Sequence, residues 1–396
     1  MTDLAGKRIL LGLTGGIAAY KSAELVRLLV RGGADVRVVM TQAACRFITP
    51  ATMQALSGQA VFSDMWDSRI PDNMAHIELS RDREVILIAP ASAGFLGRLA
   101  NGLADDLLAA LCLARRCPLL VAPAMNVEMW GNPATQRNVS QLRADGVTLL
   151  GPVAGDQACG ETGMGRMIEP AQIYHDVVAF LSPKILRGRR VLVTAGPTYE
   201  PIDTVRGITN LSSGKMGYAV AQAASEAGAE VTLVSGPTAL PAPGGVERID
   251  VTTARQMHKA VMKRARKADI FIAVAAVADY HAADARSHKI KRGKGKVRLD
   301  LVPNPDILAD VAALPRPPFC VGFAAETENL KENARAKRRR KNIPLLAANL
   351  AQDTFGRDDN ALTLFDDGGE HALPRAPKID LARQLLQHVA RMLGKH

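Results

Sequence analysis

Cysteine is scarce: the chain has five in 396 residues, scattered, and none in a CxxC pair. That count excludes a disulfide framework and argues against a structural zinc, so the chain reads as a reduced, cytoplasmic protein. Aromatic residues are only 4% and do not interleave with the basic runs, which leaves a single-strand stacking platform unsupported. Long apolar runs are missing too. The longest, Ile270–Ala278, is half of the roughly 20 residues a membrane helix needs. The opening MTDLAGKRILLG shows no signal-peptide layout. Glycine (33) and proline (22) occur at ordinary frequency, which removes collagen-like and low-complexity classes. What remains is a globular composition, 47% hydrophobic and 22% charged, with the length of two or three domains.

Charge divides the chain. Residues 1–182 carry 16 Lys+Arg against 17 Asp+Glu, a net of −1, and residues 183–396 carry 34 against 22, a net of +12. Two clusters dominate the excess, Arg286–Arg298 and Lys331–Lys341. A polyanion partner for the second half is one reading, either nucleic acid or a nucleoside triphosphate; a solvated basic face is the other.

The same local plan opens both halves. Arg8–Leu13 reads as a strand, Thr14-Gly15-Gly16 as a turn, then an amphipathic helix, Gly32-Gly33-Ala34 and a strand Val36–Met40. Residues 189–236 repeat it with a strand Arg190–Thr194, a turn Ala195-Gly196-Pro197-Thr198, a helix Gly217–Ala227 and a strand Val231–Ser235. Continuous apolar runs at Glu84–Pro90, Leu119–Pro123, Ile270–Val277 and Cys320–Ala324 suit parallel strands covered on both faces. The fold class expected is α/β, with two doubly wound, Rossmann-like three-layer domains. Their boundaries fall at 1–182 and 189–396, with a linker at 183–188. Ligands in such sheets bind beyond the carboxyl ends of the strands, so the residues just after each strand carry the functional reading.

Neither glycine turn is a clean GxGxxG. The segment NLSSGKMG fails the GxxxxGK[ST] test, because Met216 follows the lysine and Thr209 stands at the first glycine. Asn126, in PAMNVEMW after a buried strand, can hold a carboxylate or a flavin edge, or simply cap a helix. His76 in MAHIELS suits general acid–base work, although a lone histidine is more often structural. Cys159 sits on a glycine-rich flap, GPVAGDQACGETGMGRM, where packing cannot explain it, and a proton donor or nucleophile is the reading. Cys45, Cys112, Cys117 and Cys320 sit among apolar residues and read as packing. In the second half Asp279 follows a strand and can meet a base, a ribose or a metal on phosphates. Lys289 can neutralise phosphate. Lys337 and Lys341, spaced i, i+4, share a helix face that either closes on a triphosphate or is merely solvated. On the residues alone a nucleic-acid-binding protein and a two-domain nicotinamide dehydrogenase remain rival classes, as does a chain with one degenerate half.

PxMNxxMW at 123–130, TGGIAAYK at 14–21 and the histidine of HIELS make the first half resemble the homo-oligomeric flavin-containing cysteine decarboxylases. The flap ACGETGMGRM points among them to phosphopantothenoylcysteine decarboxylases. The resemblance implies FMN near Gly15, Gly16, Thr41, Ser92 and Ala93. It also implies His76 as acid–base residue, Asn126 holding the substrate carboxylate and Cys159 delivering the final proton. In such enzymes the substrate thiol is oxidised to a thioaldehyde, which acts as electron sink for CO2 loss, and the enethiol is then reduced. Gly94 stands where the family often has Asn.

The segments VRGITNLSSGKMG, AVAAVADY, KIK, PNPDIL, FAAET and KRRRK resemble phosphopantothenate–cysteine ligases along most of 189–365. Both halves in one chain are the order of the bacterial bifunctional coenzyme A biosynthesis family. The implied reaction joins 4′-phosphopantothenate to cysteine through an acyl-cytidylate made from CTP, with Mg2+ on the phosphates. Asn210 would stabilise the mixed anhydride and Lys289 the phosphate charge. Ala273, Ala276, Asp279, Pro305, Asp306, Ile307, Leu308, Phe323, Lys337 and Lys341 would line the CTP and substrate site. Leu350 stands where relatives commonly carry Asp. The partners implied are small molecules, with no nucleic acid or membrane, and a homo-oligomer. In it, trimeric decarboxylase halves and dimeric ligase halves close into a dodecamer.

Overall fold

The strand β1 (Arg8–Leu13) is buried along Ile9–Leu13 and pairs in parallel with both β2 (Asp35–Met40) and β3 (Val85–Ala91). In the computed structural model, which describes residues 3–70, 72, 74–291, 298–326, 328–350 and 357–394, the chain forms two compact units, Met1–Leu181 and Ser182–His396. The first unit's sheet continues through β4 (Leu119–Pro123) and β5 (Thr148–Leu149) in the order β2-β1-β3-β4-β5, all parallel. The order reverses between β1 and β3, so the loops after these two strands diverge and leave a crevice at the sheet's carboxyl edge.

The helix Ala19–Arg31 covers one face of that sheet. Its buried residues Ala19, Lys21, Ser22, Leu25, Val26 and Leu29 follow the three-and-four spacing of an amphipathic stripe. The glycine-rich flap is an ordered antiparallel hairpin of β6 (Val153–Asp156) and β7 (Thr162–Arg166), with Cys159 in its exposed tip.

The second unit starts at β8 (Arg190–Ala195), followed by the small antiparallel pair β9 (Tyr199–Pro201) and β10 (Gly207–Thr209). The helix Lys215–Glu226 then packs so closely on β8 that a Cβ at Gly217 would stand 2.5 Å from the Cβ of Ala195. The main sheet adds β11 (Glu230–Ser235), β12 (Val246–Asp250) and β13 (Ile270–Ala273), then, after the small pair β14 (Tyr280–Ala282) and β15 (Leu301–Pro303), β16 (Phe319–Glu326) and β17 (Leu345–Leu350). It closes with β18 (Asp359–Asp366) and β19 (Gly369–Pro377), in the order β12-β11-β8-β13-β16-β17-β18-β19. The last two pairings turn the sheet: β16 with β17 is still parallel, while β17–β18 and β18–β19 are antiparallel. The final helix, Lys378–Leu393, buries Leu381, Leu385, Leu386 and Val389 in the unit's core.

Two expectations shift. The strand expected over Ile270–Val277 ends at Ala273. The following residues leave the sheet because their backbone pairs elsewhere: Ala276 N–H donates to the Gly196 carbonyl at 3.0 Å, and Thr198 N–H to the Ala276 carbonyl at 3.2 Å. The antiparallel extension β18–β19 lies beyond the strands read from the sequence. Residues 292–297 of the first basic cluster and Thr327 of FAAET lie outside the described residues. Among the described residues no helix is long and apolar enough to cross a membrane.

Candidate active sites

At the switch point of the first sheet, Thr14 holds the two diverging loops together. Its hydroxyl donates to the Pro90 carbonyl at 2.9 Å and accepts from Ser92 N–H at 2.9 Å. Beside it opens a cleft of about 630 Å3 lined by Gly15, Gly16, Ser92, Ala93, Asn126 and Cys159, among others. That volume is within the usual range for a cofactor-sized ligand. Gly15 and Gly16 lead into the helix Ala19–Arg31, which has no side-chain cap and no acidic residue in its first turn. Such a helix start favours a phosphate.

Asn126 caps a helix with one end of its side chain and turns the other toward the flap. Its Oδ1 caps the helix Val127–Gly131 by accepting from Glu128 N–H at 2.8 Å and Met129 N–H at 3.4 Å. Its Nδ2 then faces the flap, 3.6 Å from Cys159 Sγ and 3.5 Å from Gln157 Oε1, and donates to Glu161 Oε2. Cys159 Sγ also lies 3.6 Å from Glu161 Oε2. The flap is fixed at its base by Met125 N–H to the Gly165 carbonyl (2.9 Å) and Val127 N–H to Gln157 Oε1 (3.0 Å). Lys21, almost fully buried, donates to Glu169 Oε1 at 2.8 Å and to the Met167 carbonyl at 3.4 Å, tying the flap's exit to the first helix. Lys21 holds the Glu169 carboxyl below its ordinary value.

Thr41 and His76 are not in this cleft. Thr41 is buried at the end of β2, where its hydroxyl accepts from Ala44 N–H at 3.1 Å. His76 lies on the short helix Ala75–Glu78, and its buried Nδ1 has no hydrogen-bond partner. Gly94 would tolerate a side chain, with nothing within 4 Å of a Cβ there.

The second unit uses a matching device at its own switch point, between β8 and β13. Thr194 accepts from Ala275 N–H at 3.3 Å and Thr198 from Ala278 N–H at 3.0 Å. Asn210 reaches the same loop and donates to the Ala276 carbonyl at 2.9 Å. Asn304 joins the next segment to it, through its N–H on the Asp279 carbonyl and its Nδ2 on the Ala278 carbonyl, both at 2.8 Å. Asp306 caps the helix Ile307–Ala312 and pairs with Lys341 Nζ at 2.8 Å. Burial raises the Asp306 carboxyl, but Lys341, the Ala309 N–H and Lys337 outweigh it and hold the group down. Burial, then Lys341, push the Lys337 ammonium below its ordinary value, while Glu326 and Asp279 oppose them. These groups therefore lie within electrostatic reach of one another. Ile307 and Leu308 point into the core, so only their backbone can face a ligand. Ala273 ends β13, Pro305 precedes the Asp306 cap, and Phe323 packs half-buried on β16.

The sequence reading missed four residues that shape these sites. Gln157 and Glu161 are side-chain partners of Asn126, and Glu161 stood two positions from the cysteine as the only available signal. Asp203 is buried and accepts from the N–H groups of Val205 (2.8 Å), Arg206 (2.8 Å) and Ile290 (3.0 Å). It thereby fixes the backbone next to exposed Lys289, at Ile290, to the β9–β10 arm that leads to Asn210. Thr14 looked like turn residue and nothing more.

The Flavoprotein family matches residues 1–182, and the DNA/pantothenate metabolism flavoprotein C-terminal domain family matches residues 186–393. The Coenzyme A biosynthesis bifunctional protein CoaBC of Vibrio cholerae is 52% identical, covering 98% of this chain and 98% of that protein. A solved PPC decarboxylase mutant complexed with pantothenoylaminoethenethiol is 37% identical, with a TM-score of 0.41, over 44% of this chain and 98% of that one. The FMN-dependent cysteine decarboxylase SpaF is 34% identical, with a TM-score of 0.39, over 44% and 99%. Two flavoprotein-family matches in tandem, and a full-length relative at this identity, place the chain in one family: it belongs to the bifunctional coenzyme A biosynthesis proteins, enzymes that join a flavoprotein decarboxylase half to a ligase half.

Proposed function

We propose that residues 189–396 ligate 4′-phosphopantothenate to cysteine with CTP, and that residues 1–182 decarboxylate the product with FMN. The observation that carries the second assignment is the Asn126–Cys159–Glu161 cluster at the mouth of the cleft. FMN, when bound, supplies the two-electron couple that oxidises the substrate thiol and later returns the electrons. Glycine turn, uncapped helix start and cleft volume fit its phosphate and ring. Asn126 Nδ2 holds the substrate carboxylate before CO2 leaves. Glu161 occupies that donor here and must move aside. Cys159, at the flap tip, gives its proton to the enethiolate product.

His76 lies outside the single-chain cleft, so the acid–base residue is His76 of a partner subunit. Ile17 and Tyr20, apolar, 61% and 62% exposed and lining the cleft, support a subunit interface there. Trimeric decarboxylase halves and dimeric ligase halves then close into a dodecamer in the cytoplasm.

In the ligase half the carboxylate of 4′-phosphopantothenate attacks the α-phosphorus of CTP and pyrophosphate leaves. The cysteine amine then attacks the acyl-cytidylate carbonyl and expels CMP. Lys289, Lys337 and Lys341 neutralise phosphate charge, and Mg2+ enters on the CTP phosphates. Asn210, at the switch-point loop, stabilises the mixed anhydride. Asp279 and the Pro305–Leu308 turn meet the nucleotide.

One incubation tests both halves: purified protein with 4′-phosphopantothenate, cysteine, CTP and Mg2+, products read by mass spectrometry. A flavin spectrum with 4′-phosphopantetheine, CMP and pyrophosphate is expected. Cys159→Ser should keep flavin and stall after CO2 loss; normal phosphopantetheine output from it would refute the role given to Cys159.

A further inference from the structure

At the far edge of the second sheet, away from the loops assigned to catalysis, three side chains from three elements converge. Asp366 ends β18, His371 lies on β19, and His388 is on the helix Lys378–Leu393. Asp366 Oδ1 is 3.1 Å from His371 Nε2, and Oδ2 is 2.7 Å from His388 Nε2. All three potential ligand atoms lie within 4.8 Å of one another, and the two imidazole rings tilt at 52° with centroids 4.6 Å apart. The Asp366 and His388 side chains are 8% and 9% exposed, whereas His371 is 40% exposed, so the cluster is walled on two sides and open on one.

We propose that Asp366, His371 and His388 form a binding site for a borderline divalent transition-metal ion of the zinc, cobalt or nickel kind. Two imidazoles and a carboxylate are the donor set such ions prefer, and magnesium and calcium do not. Ions with bonds of roughly 2.0–2.1 Å set tetrahedral ligand atoms about 3.3 Å apart. The Oδ1–His371 separation of 3.1 Å is already close to that; the 2.7 Å contact of His388 is to Oδ2, so His388 Nε2 must shift toward the Oδ1 side, starting from within 4.8 Å. A solvent water on the His371 side completes the coordination. Coordination takes the Nε2 lone pair of each imidazole, so a neutral ring moves its Nε2 proton to Nδ1 and an imidazolium gives one proton to solvent.

The surrounding charges permit it. Asp366 Oδ1 already takes the Gly368 N–H at 2.7 Å, which fixes the carboxylate's orientation. Arg335 pairs with Glu370 and Arg338 with Asp367, so these nearby cations are matched. Arg391, 3.4 Å from His388 Nδ1, is exposed and must swing outward, because a coordinated imidazole carries its hydrogen on Nδ1. The bound ion would lock the β18–β19 hairpin onto the last helix, a structural task separate from either reaction.

The test uses the full-length, flavin-loaded protein after exhaustive chelation, with Co(II) as the probe and Zn(II) in competition. Wild type should take up one Co(II) per chain with the visible bands of a four-coordinate ion, and Zn(II) should abolish them. Zn(II), and not Mg(II) at the same concentration, should raise the unfolding temperature of the ligase half. His371→Gln sits on an exposed edge and should fold with ligase turnover unchanged. It should bind at least tenfold more weakly, and H371Q/H388Q should show no such bands. Arg391→Ala should bind as tightly as wild type or more so. The proposal is overturned if wild type shows neither bands nor a zinc-dependent shift, or if H371Q/H388Q takes up the ion as wild type does. In either case the three residues are only a hydrogen-bonded strap.

Discussion

Gly165 is the residue through which the flap leans on the Asn126 turn, and replacing it with alanine should open the decarboxylase site without touching the ligase. Its φ is +131°, a region favoured by glycine. An added Cβ would collide with the Met125 carbonyl oxygen and sit 3.2 Å from both the Asn126 carbonyl oxygen and the Gln157 amide nitrogen. Backbone strain of this kind costs about 1–3 kcal/mol. Relief of the clash also breaks the Met125 N–H bond to the Gly165 carbonyl, worth about 1 kcal/mol. The closed flap should therefore be disfavoured by about 2–4 kcal/mol, or roughly 30- to 700-fold. Since Cys159 rides on that flap, decarboxylation of 4′-phosphopantothenoylcysteine should fall by the same factor. The assay is a single-turnover measurement of CO2 release and product formation, with the flavin spectrum and CTP-dependent ligation as internal controls. Wild-type decarboxylation by Gly165→Ala, with flavin bound, would refute the claim that the flap must rest on the Asn126 turn.

Asp203→Asn should lower ligase kcat/KM about tenfold to a hundredfold by loosening Lys289 from the Asn210 arm, and leave decarboxylation intact; equal loss of both reactions would mean general misfolding. The N–H groups of Ile290, Val205 and Arg206, with the Arg206 charge, hold the Asp203 carboxyl at about 2. A depressed carboxyl stabilises the fold fully above its unfolded value near 3.9, and that contribution disappears as pH falls toward 2. The stability gap between wild type and Asp203→Asn should thus narrow across that window in pH-dependent denaturation; a constant gap would contradict it. Among the five thiols, burial pushes Cys112 and Cys320 up to about 12 and raises Cys45 and Cys117. Iodoacetamide on the native protein should label exposed Cys159 first, read by peptide mass spectrometry. Asn210→Asp should impair ligation and spare decarboxylation, which product analysis checks.

The fold was legible where local pattern and tertiary demand agree. A buried apolar run, a glycine turn and an amphipathic helix announce each half, and the residues just past the strands lie at the switch points. Asn126 was readable as a cap, and the structure gives its Oδ1 that task while leaving its Nδ2 on the flap's Glu161. The end of β13 was not readable. Val274–Val277 is as apolar as a strand, and only its pairing with Gly196 and Thr198 takes it out of the sheet. Ile307 and Leu308 belong to a motif whose side chains face the core, a distinction that a linear pattern does not carry. The reach of Asp203 to Ile290 and of Asp366 to His388 comes only with the tertiary fold, across separations no local spacing encodes.

The ion pairs along the basic helix change what the net charge of the second half means. Of the seven basic residues between Lys331 and Lys341, four already face a carboxylate: Lys331 and Arg335 on Glu370, Arg338 on Asp367 and Lys341 on Asp306. A long polyanion gains its affinity by trading condensed counterions for free cations on the protein. Cations engaged internally offer little for that trade. A small triphosphate that displaces one partner, such as Asp306 from Lys341, instead swaps one ion pair for another at a single place. At the triphosphate site proposed for this helix, binding should therefore weaken with salt far less steeply than its seven lysines and arginines suggest.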